Sequence, residues 1–180
     1  MPIRCPIGSG PTDRIQPALA EQRLWAPWRR PYIRGGGDGD CIFCSKPALG
    51  DDEKALIAHR GERCFVMLNA FPYNPGHVMV APFEHTARLE DLDEPTSGEL
   101  MGLAQSSLRA LEDGYSPDGF NVGLNLGKIA GAGVADHVHL HVVPRWAGDT
   151  NFMPVLADVK ILPEHLSETR RRLADAWPSG

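Results

Sequence analysis

Residues 137–143 read His-Val-His-Leu-His-Val-Val, three histidines alternating with apolar residues. In an extended strand successive side chains point to opposite faces. This order therefore puts His137, His139 and His141 on one face and Val138, Leu140 and Val142 on the other. Neighbours on the same face then stand roughly 7 Å apart. The apolar set belongs against a core, which leaves the imidazole row beside whatever pocket the sheet forms. A lone histidine is ordinarily a satisfied structural residue, and three in strict alternation are poorly explained that way.

The flanking pattern supplies the rest of a sheet. Ala55–Ala58, Cys64–Leu68, His77–Ala81 and Phe120–Leu126 read as further short strands, with turns at Arg60-Gly61-Glu62 and Phe71–Gly76. Between them the period changes. Leu100, Leu103, Ala104, Leu108 and Leu111 recur at helical spacing, with Pro95 suited to the first turn, Asp93, Thr96 or Ser97 as caps and Gly114 as the stop. Pro163 to Trp177 reads as a second helix. Strands grouped around helices predict an α+β domain on an antiparallel sheet with two main helices.

The N-terminal third is different. Residues 1–23 carry four prolines and few apolar anchors, so a loose arm is expected there. Residues 24–53 contain the aromatic, arginine-rich run Leu24–Ile33, a glycine-rich joint and Cys41-Ile42-Phe43-Cys44. The aromatic run reads as an irregular segment that docks on the domain or on a partner subunit, and the cysteine pair of the same 24–53 docking region as half of a zinc knuckle. The regular core runs over 54–150, and 151–180 form a C-terminal extension with its helix.

Composition excludes more than it identifies. With 180 residues, 18 basic against 23 acidic side chains and a net charge of −5, the chain is sized for one domain and lacks the cationic excess of a nucleic-acid binder. A small phosphorylated ligand needs only one favourable pocket and stays open. No run approaches the roughly 18 apolar residues of a membrane span. Residues 1–10 lack the apolar stretch of a secretory signal, so the cytoplasm is the expected compartment.

Two chemistries compete for the histidine row. Histidines alternating on a strand can ligate a catalytic metal. A neutral imidazole can instead attack phosphorus while its neighbours set its tautomer. The run Asn125–Gly133, with several glycines and Lys128, favours the second, because such a loop lets backbone N–H groups approach an anion. It is not a Walker loop: three residues separate Gly123 from Gly127, and Ile129 stands where Ser or Thr is required.

The chain resembles the histidine triad family of nucleotide hydrolases and transferases, on the 137–143 motif and on the stretch from Leu68-Asn69 through His77 to Pro144-Arg145-Trp146. The combination of LWAPWR at 24–29, NAFPYNPGH at 69–77, GFNVGLNLG at 119–127 and HVVPRWAGDTNF at 141–152 is most similar to the family's bacterial diadenosine tetraphosphate phosphorylase branch. The resemblance implies that His139 attacks the α-phosphorus and is transiently adenylylated, with His141 contacting phosphate oxygens and His137 completing the triad. It implies further that Asn69 holds the ribose, that His77 lies at the nucleotide pocket, and that Asn125 and the Gly127–Gly133 loop approach the phosphates. Trp146 is either a base-stacking or a core residue. Where the family commonly places a phosphate-binding side chain near Gly133, this chain has Gly131-Ala132-Gly133-Val134, which offers backbone amides alone. The expected acceptor is inorganic phosphate, with water as the hydrolytic alternative and a non-catalytic nucleotide-binding protein as the rival from another class. Family members are commonly homodimers, so a homodimer is expected.

Zinc-bearing members of the wider superfamily pair a Cys-x-x-Cys motif with two histidines. Here the matches are Cys41, Cys44, His85 and His137, giving a structural zinc site as one reading and two unligated thiols as the other. A metal there would fix His137 and the strand that carries His139. No carboxylate cluster announces a magnesium site, which leaves magnesium dependence open. Cys5 and Cys64 read as spectators, and His59 and His165 as surface or loop residues.

Overall fold

The computed structural model describes residues 41–149 and 164–178. The expected arm over 1–23, the aromatic run 24–33 and most of the extension after residue 149 lie outside the described residues. In chain order the elements are α1 (Ile42–Ala48), α2 (Asp52–Ala55), β1 (Ile57–Arg60), β2 (Cys64–Leu68), β3 (Val78–Pro82), a 3-10 turn (Leu89–Asp91), α3 (Glu94–Tyr115), β4 (Gly119–Leu124), β5 (Leu140–Arg145) and α4 (Leu166–Asp175). The strands form one sheet in the order β1-β2-β3-β5-β4, and every neighbouring pair is antiparallel. The α+β expectation holds. No helix among the described residues is long and apolar enough to cross a membrane.

Burial on both faces explains the sequence of the central strands. Every residue of β2 and β3 is buried. Their alternation divides two apolar clusters between the faces of the sheet. Cys64, Val66 and Leu68 of β2, Val78 and Val80 of β3, and Leu140 and Val142 of β5 pack with Leu100, Leu103 and Leu111 of α3 and Leu173 of α4. On the opposite face Phe65, Met67, Met79 and Ala81 close around Phe43 of α1. The valine–leucine side of the histidine motif therefore belongs to the larger core, as its period requires.

Helix α3 starts as expected: the Asp93 side chain accepts from the Thr96 amide at 2.8 Å and Pro95 sits in the first turn. Gly114 does not stop it. The helix continues to Tyr115, and Ser116 takes the left-handed conformation at φ 46°. Gly114 is instead where α4 passes closely, since a Cβ there would lie 3.4 Å from Arg172 Cγ.

Three further expectations are corrected, and one short helix stands where none was expected. The first strand begins at Ile57 rather than Ala55, because Asp51 caps the short turn of α2 through the Lys54 amide at 3.1 Å. The segment around the cysteines is helical, although Pro47 lies inside α1 and no side chain caps it. His59 is on β1, its ring stacked on Trp177 at 4.4 Å. Finally, the paired part of the histidine strand starts at Leu140, not His137. Pro82 ends β3 without an N–H to donate, so the β3–β5 ladder cannot continue past it. Val138 donates instead to the Thr86 carbonyl at 2.7 Å.

The turn entering β3 is tightly specified. Gly76 has φ +77°, and a Cβ there would meet Leu111 Cδ2 at 2.7 Å and Pro144 Cγ at 3.3 Å. Gly76→Ala is expected to destabilise the fold by about 2 kcal/mol, through overpacking and backbone strain together. Urea unfolding of the two proteins measures it.

Candidate active site

The histidine strand, the β2–β3 turn, α1 and the glycine-rich loop border an open cleft. It is lined by Phe43, Asn69, Phe71, Tyr73, Met79, Gly131, Gly133, Val134, His139 and His141. No acidic side chain is among these residues, and one wall is aromatic. The lining thus combines flat apolar rings with imidazoles and carries no charge that would repel an anion.

Hydrogen bonds assign the tautomers. His139 Nδ1 lies 2.8 Å from the His137 carbonyl. A carbonyl only accepts, so Nδ1 carries the hydrogen and Nε2 keeps its lone pair. The ring is buried, stacked on Phe43 (centroids 4.6 Å, 29°) and edge-on to His141 (5.0 Å, 78°). Burial pushes its pKa down, against the opposing pull of the His137 carbonyl, which keeps the imidazole neutral.

A second chain of bonds fixes His141. The Tyr73 amide donates to His77 Nδ1 at 3.0 Å, so His77 must carry its hydrogen on Nε2. That Nε2–H donates to His141 Nδ1 at 3.0 Å, which obliges His141 to bear its own hydrogen on Nε2. His77 is fully buried, with Tyr73 stacked on it at 4.7 Å. His141 sits in register with Met79 on one side and Gly123 on the other. Two neighbouring imidazoles thus present opposite chemistry at Nε2: a lone pair on His139 and a hydrogen-bond donor on His141.

The expected site residues separate into groups. Asn69, Gly133, His139 and His141 line the cleft, while His77 stands behind His141. Asn69 Oδ1 accepts from the Phe71 amide at 2.9 Å, which holds the turn that shapes the wall. Asn125 directly follows the last β4–β5 pair, Leu124 with Leu140. Neither Asn125, Gly127 nor Trp146 lines the cleft. Trp146 lies beyond the far end of β5, in a turn closed by the Asp149 amide donating to its carbonyl at 3.0 Å. In the glycine loop, the Gly131 and Ala132 amides donate to the Lys128 and Gly127 carbonyls, so two of its N–H groups are used internally. Phe43, Phe71, Tyr73, Met79 and Val134 were not anticipated. The available signals were the aromatics within NAFPYNPGH and the placement of Met79 two residues after His77.

His137 faces away from the cleft. Its Nε2–H donates to the Pro82 carbonyl at 2.9 Å, which turns Nδ1 toward Cys41 Sγ at 3.3 Å and Cys44 Sγ at 3.7 Å. Cys44 Sγ also lies 3.3 Å from His85 Nδ1. The four donor atoms all fall within 4.8 Å of one another. Tetrahedral zinc with ordinary Zn–S and Zn–N bonds needs sulfur–nitrogen separations of about 3.5 Å, so the donor set fits that ion. Burial pushes the His137 pKa down to about 4, the neutral form that ligation requires. The alternative of one metal shared by all three triad histidines does not fit. Both ring nitrogens of His137 are engaged outside the cleft, Nε2 with the Pro82 carbonyl and Nδ1 with the cysteines, so it cannot share an ion with His139 and His141.

Comparison with known proteins identifies the family. The HIT domain matches residues 52–148. A Mycobacterium tuberculosis protein named AP-4-A phosphorylase is 41% identical over 94% of this chain and 88% of its own length. The Schizosaccharomyces pombe adenosine 5'-monophosphoramidase is 32% identical over 58% of this chain and 74% of its own. Among solved structures, a zinc-bound histidine triad family protein from Mycobacterium smegmatis superposes with a TM-score of 0.62. It is 30% identical, covering 78% of this chain and 94% of that one. With the motif on the cleft wall, the five-stranded sheet and the match across 52–148 all in agreement, the chain belongs to the histidine triad (HIT) family.

Proposed function

We propose that the protein is a nucleotidyl-transfer enzyme of dinucleoside polyphosphates, and that it splits diadenosine tetraphosphate with inorganic phosphate into ATP and ADP. The observation that carries the reading is the Nε2 lone pair of His139, held at the wall of a cleft with an aromatic side and no acidic lining. The relative named AP-4-A phosphorylase, aligned over nearly the whole chain, supports the choice of substrate.

The proposed chemistry has two displacements. His139 Nε2 forms a bond to the α-phosphorus, the bridging P–O bond breaks, and its electron pair leaves with ATP. The adenylyl group then sits on Nε2 while Nδ1–H remains bonded to the His137 carbonyl. An oxygen of inorganic phosphate next attacks the same phosphorus, the N–P bond breaks, and ADP departs with neutral His139 restored. His141, which bears its hydrogen on Nε2, serves as donor to the phosphoryl oxygens, and the Tyr73–His77 relay keeps that hydrogen in place. We also read the Cys41, Cys44, His85 and His137 set as a closed structural zinc site, which would order the segment before His139. A cytoplasmic homodimer, with the sheet-edge strand β4 as the candidate contact, completes the proposal.

Product analysis tests it. Diadenosine tetraphosphate is incubated with and without inorganic phosphate, and the nucleotides are separated by anion exchange. Phosphate-dependent ATP plus ADP is the expected result. AMP plus ATP without phosphate would assign the protein to hydrolysis instead, and no turnover in either condition would remove dinucleotides as substrates.

A further inference from the structure

Phe43 belongs to two sites at once. In the sequence it lies between Cys41 and Cys44, and its ring is 1% exposed. That ring stacks on His139 with centroids 4.6 Å apart and 29° between planes, and it also touches His137 at 5.2 Å. The His139 ring also meets the His141 ring in a T-shaped contact with centroids 5.0 Å apart. One hydrogen bond, Nδ1–H to the His137 carbonyl, anchors the imidazole. A single bond of this kind still leaves the ring room to swing, and the flat face of Phe43 closes that room on one side. Helix α1 is only seven residues long and has no side-chain cap. Its position is set by packing, by the Arg60 guanidinium donating to the Pro47 carbonyl at 2.9 Å, and by the two cysteines that face His85 and His137.

We infer that Phe43 is a positioning residue for His139, and that through it the Cys41/Cys44/His85/His137 site governs the catalytic imidazole from outside the cleft. The inference rests on the reading of His139 as nucleophile. In that reading Nε2 forms the N–P bond while Nδ1 keeps its hydrogen, so the ring becomes cationic as the P–O bond breaks and its electron pair departs. An aromatic face within about 6 Å of a cation attracts it. Phe43 therefore acts twice, by holding the neutral ring in line for attack and by favouring the charged ring that follows. The cysteines hold the segment that carries Phe43. Loss of the metal should consequently be felt at His139 before any general unfolding.

The test uses the full chain and Phe43→Leu, which removes the aromatic face while leaving an apolar side chain of moderate size, with Phe43→Tyr as the aromatic control. Zinc content and thermal melts establish that both variants are folded and metal-bound. Phe43→Leu is expected to lose about 10- to 100-fold in kcat, the range for a misplaced reacting group, with KM nearly unchanged. Phe43→Tyr should recover most of the loss. Nitrogen-15 spectra of the His139 ring should show the single Nδ1–H tautomer in the wild type and an averaged tautomer in Phe43→Leu. The same averaging should follow when zinc is chelated from the wild type, and adding Zn²⁺ alone should reverse it. An unchanged kcat, a loss confined to KM, or a His139 signal indifferent to both the substitution and the metal would each overturn the inference. If the wild type forms no adenylyl adduct, the nucleophile assignment fails separately, and the ring spectra still decide whether Phe43 positions His139.

Discussion

His139→Ala is expected to reduce turnover of diadenosine tetraphosphate by about 10⁴-fold or more, the scale on which loss of a covalent nucleophile is felt. The size follows from the geometry. His139 Nε2 is the lone pair the hydrogen bonds place at the cleft, whereas the adjacent His141 presents a hydrogen there and cannot substitute for it. The variant keeps the aromatic wall formed by Phe43, Phe71 and Tyr73, so nucleotide binding should persist within a few-fold. His141→Ala should be milder, about 10²- to 10³-fold, because it removes one donor to developing negative charge and leaves the nucleophile. Rapid quenching of enzyme with substrate labelled in the α-phosphate gives the direct readout. An acid-labile, base-stable phosphoramidate should appear on the wild type and be missing from His139→Ala. Turnover or an adduct surviving in that variant would remove His139 from the nucleophile's role. Retained binding with no wild-type turnover would move the protein to the class of nucleotide-binding modules.

The parts of this site that were legible in the sequence are those fixed by local period. Alternation from His137 to Val143 put Leu140 and Val142 into the larger core and His139 and His141 on the cleft wall. The spacing from Leu100 to Leu111, with Asp93 ahead of it, gave the long helix and its cap. The relay behind His141 was not legible, because it joins His77 to His141 across 64 residues and is completed by a backbone amide that no side-chain pattern reveals. Helix α1 was hidden for a related reason. Its propensity is poor, with Pro47 inside it, and it exists because Phe43 is buried and its cysteines meet His85 and His137 far along the chain. Gly114 misled because a glycine near a helix end usually terminates it, while here the helix runs on to Tyr115 and Ser116 takes the left-handed conformation. Trp146 was ambiguous from its residue type alone, and only the course of β5 places it away from the cleft.

The metal set yields the second large effect. The purified protein is expected to carry one zinc ion per chain, and chelation should lower its melting temperature by about 10 °C. At free zinc some 100- to 1,000-fold above the dissociation constant, ligation adds about 3–4 kcal/mol to the folded state. In a domain of this size each kcal/mol shifts the melt by about 2–4 °C. The contribution is structural because the four residues come from three separate parts of the chain. Cys41 and Cys44 come from the start of α1, His85 from the loop after β3, and His137 from the approach to β5. Within that set the Pro82 carbonyl already orients His137, so losing the ion frees α1 and the His85 loop first. His85 is the most exposed ligand, and His85→Ala should weaken affinity while leaving the two half-buried cysteines and buried His137 in place. Cys41→Ser should cost more, since it removes a thiolate next to His137 Nδ1. Elemental analysis of purified protein, with melts in chelator and after zinc is returned, measures all three. A protein that carries no zinc and melts at the same temperature in every condition would leave Cys41 and Cys44 as thiols hydrogen-bonded to imidazoles. Helix α1 would then be held by the burial of Phe43, those thiol contacts and the Arg60 guanidinium, which donates to the Pro47 carbonyl at 2.9 Å.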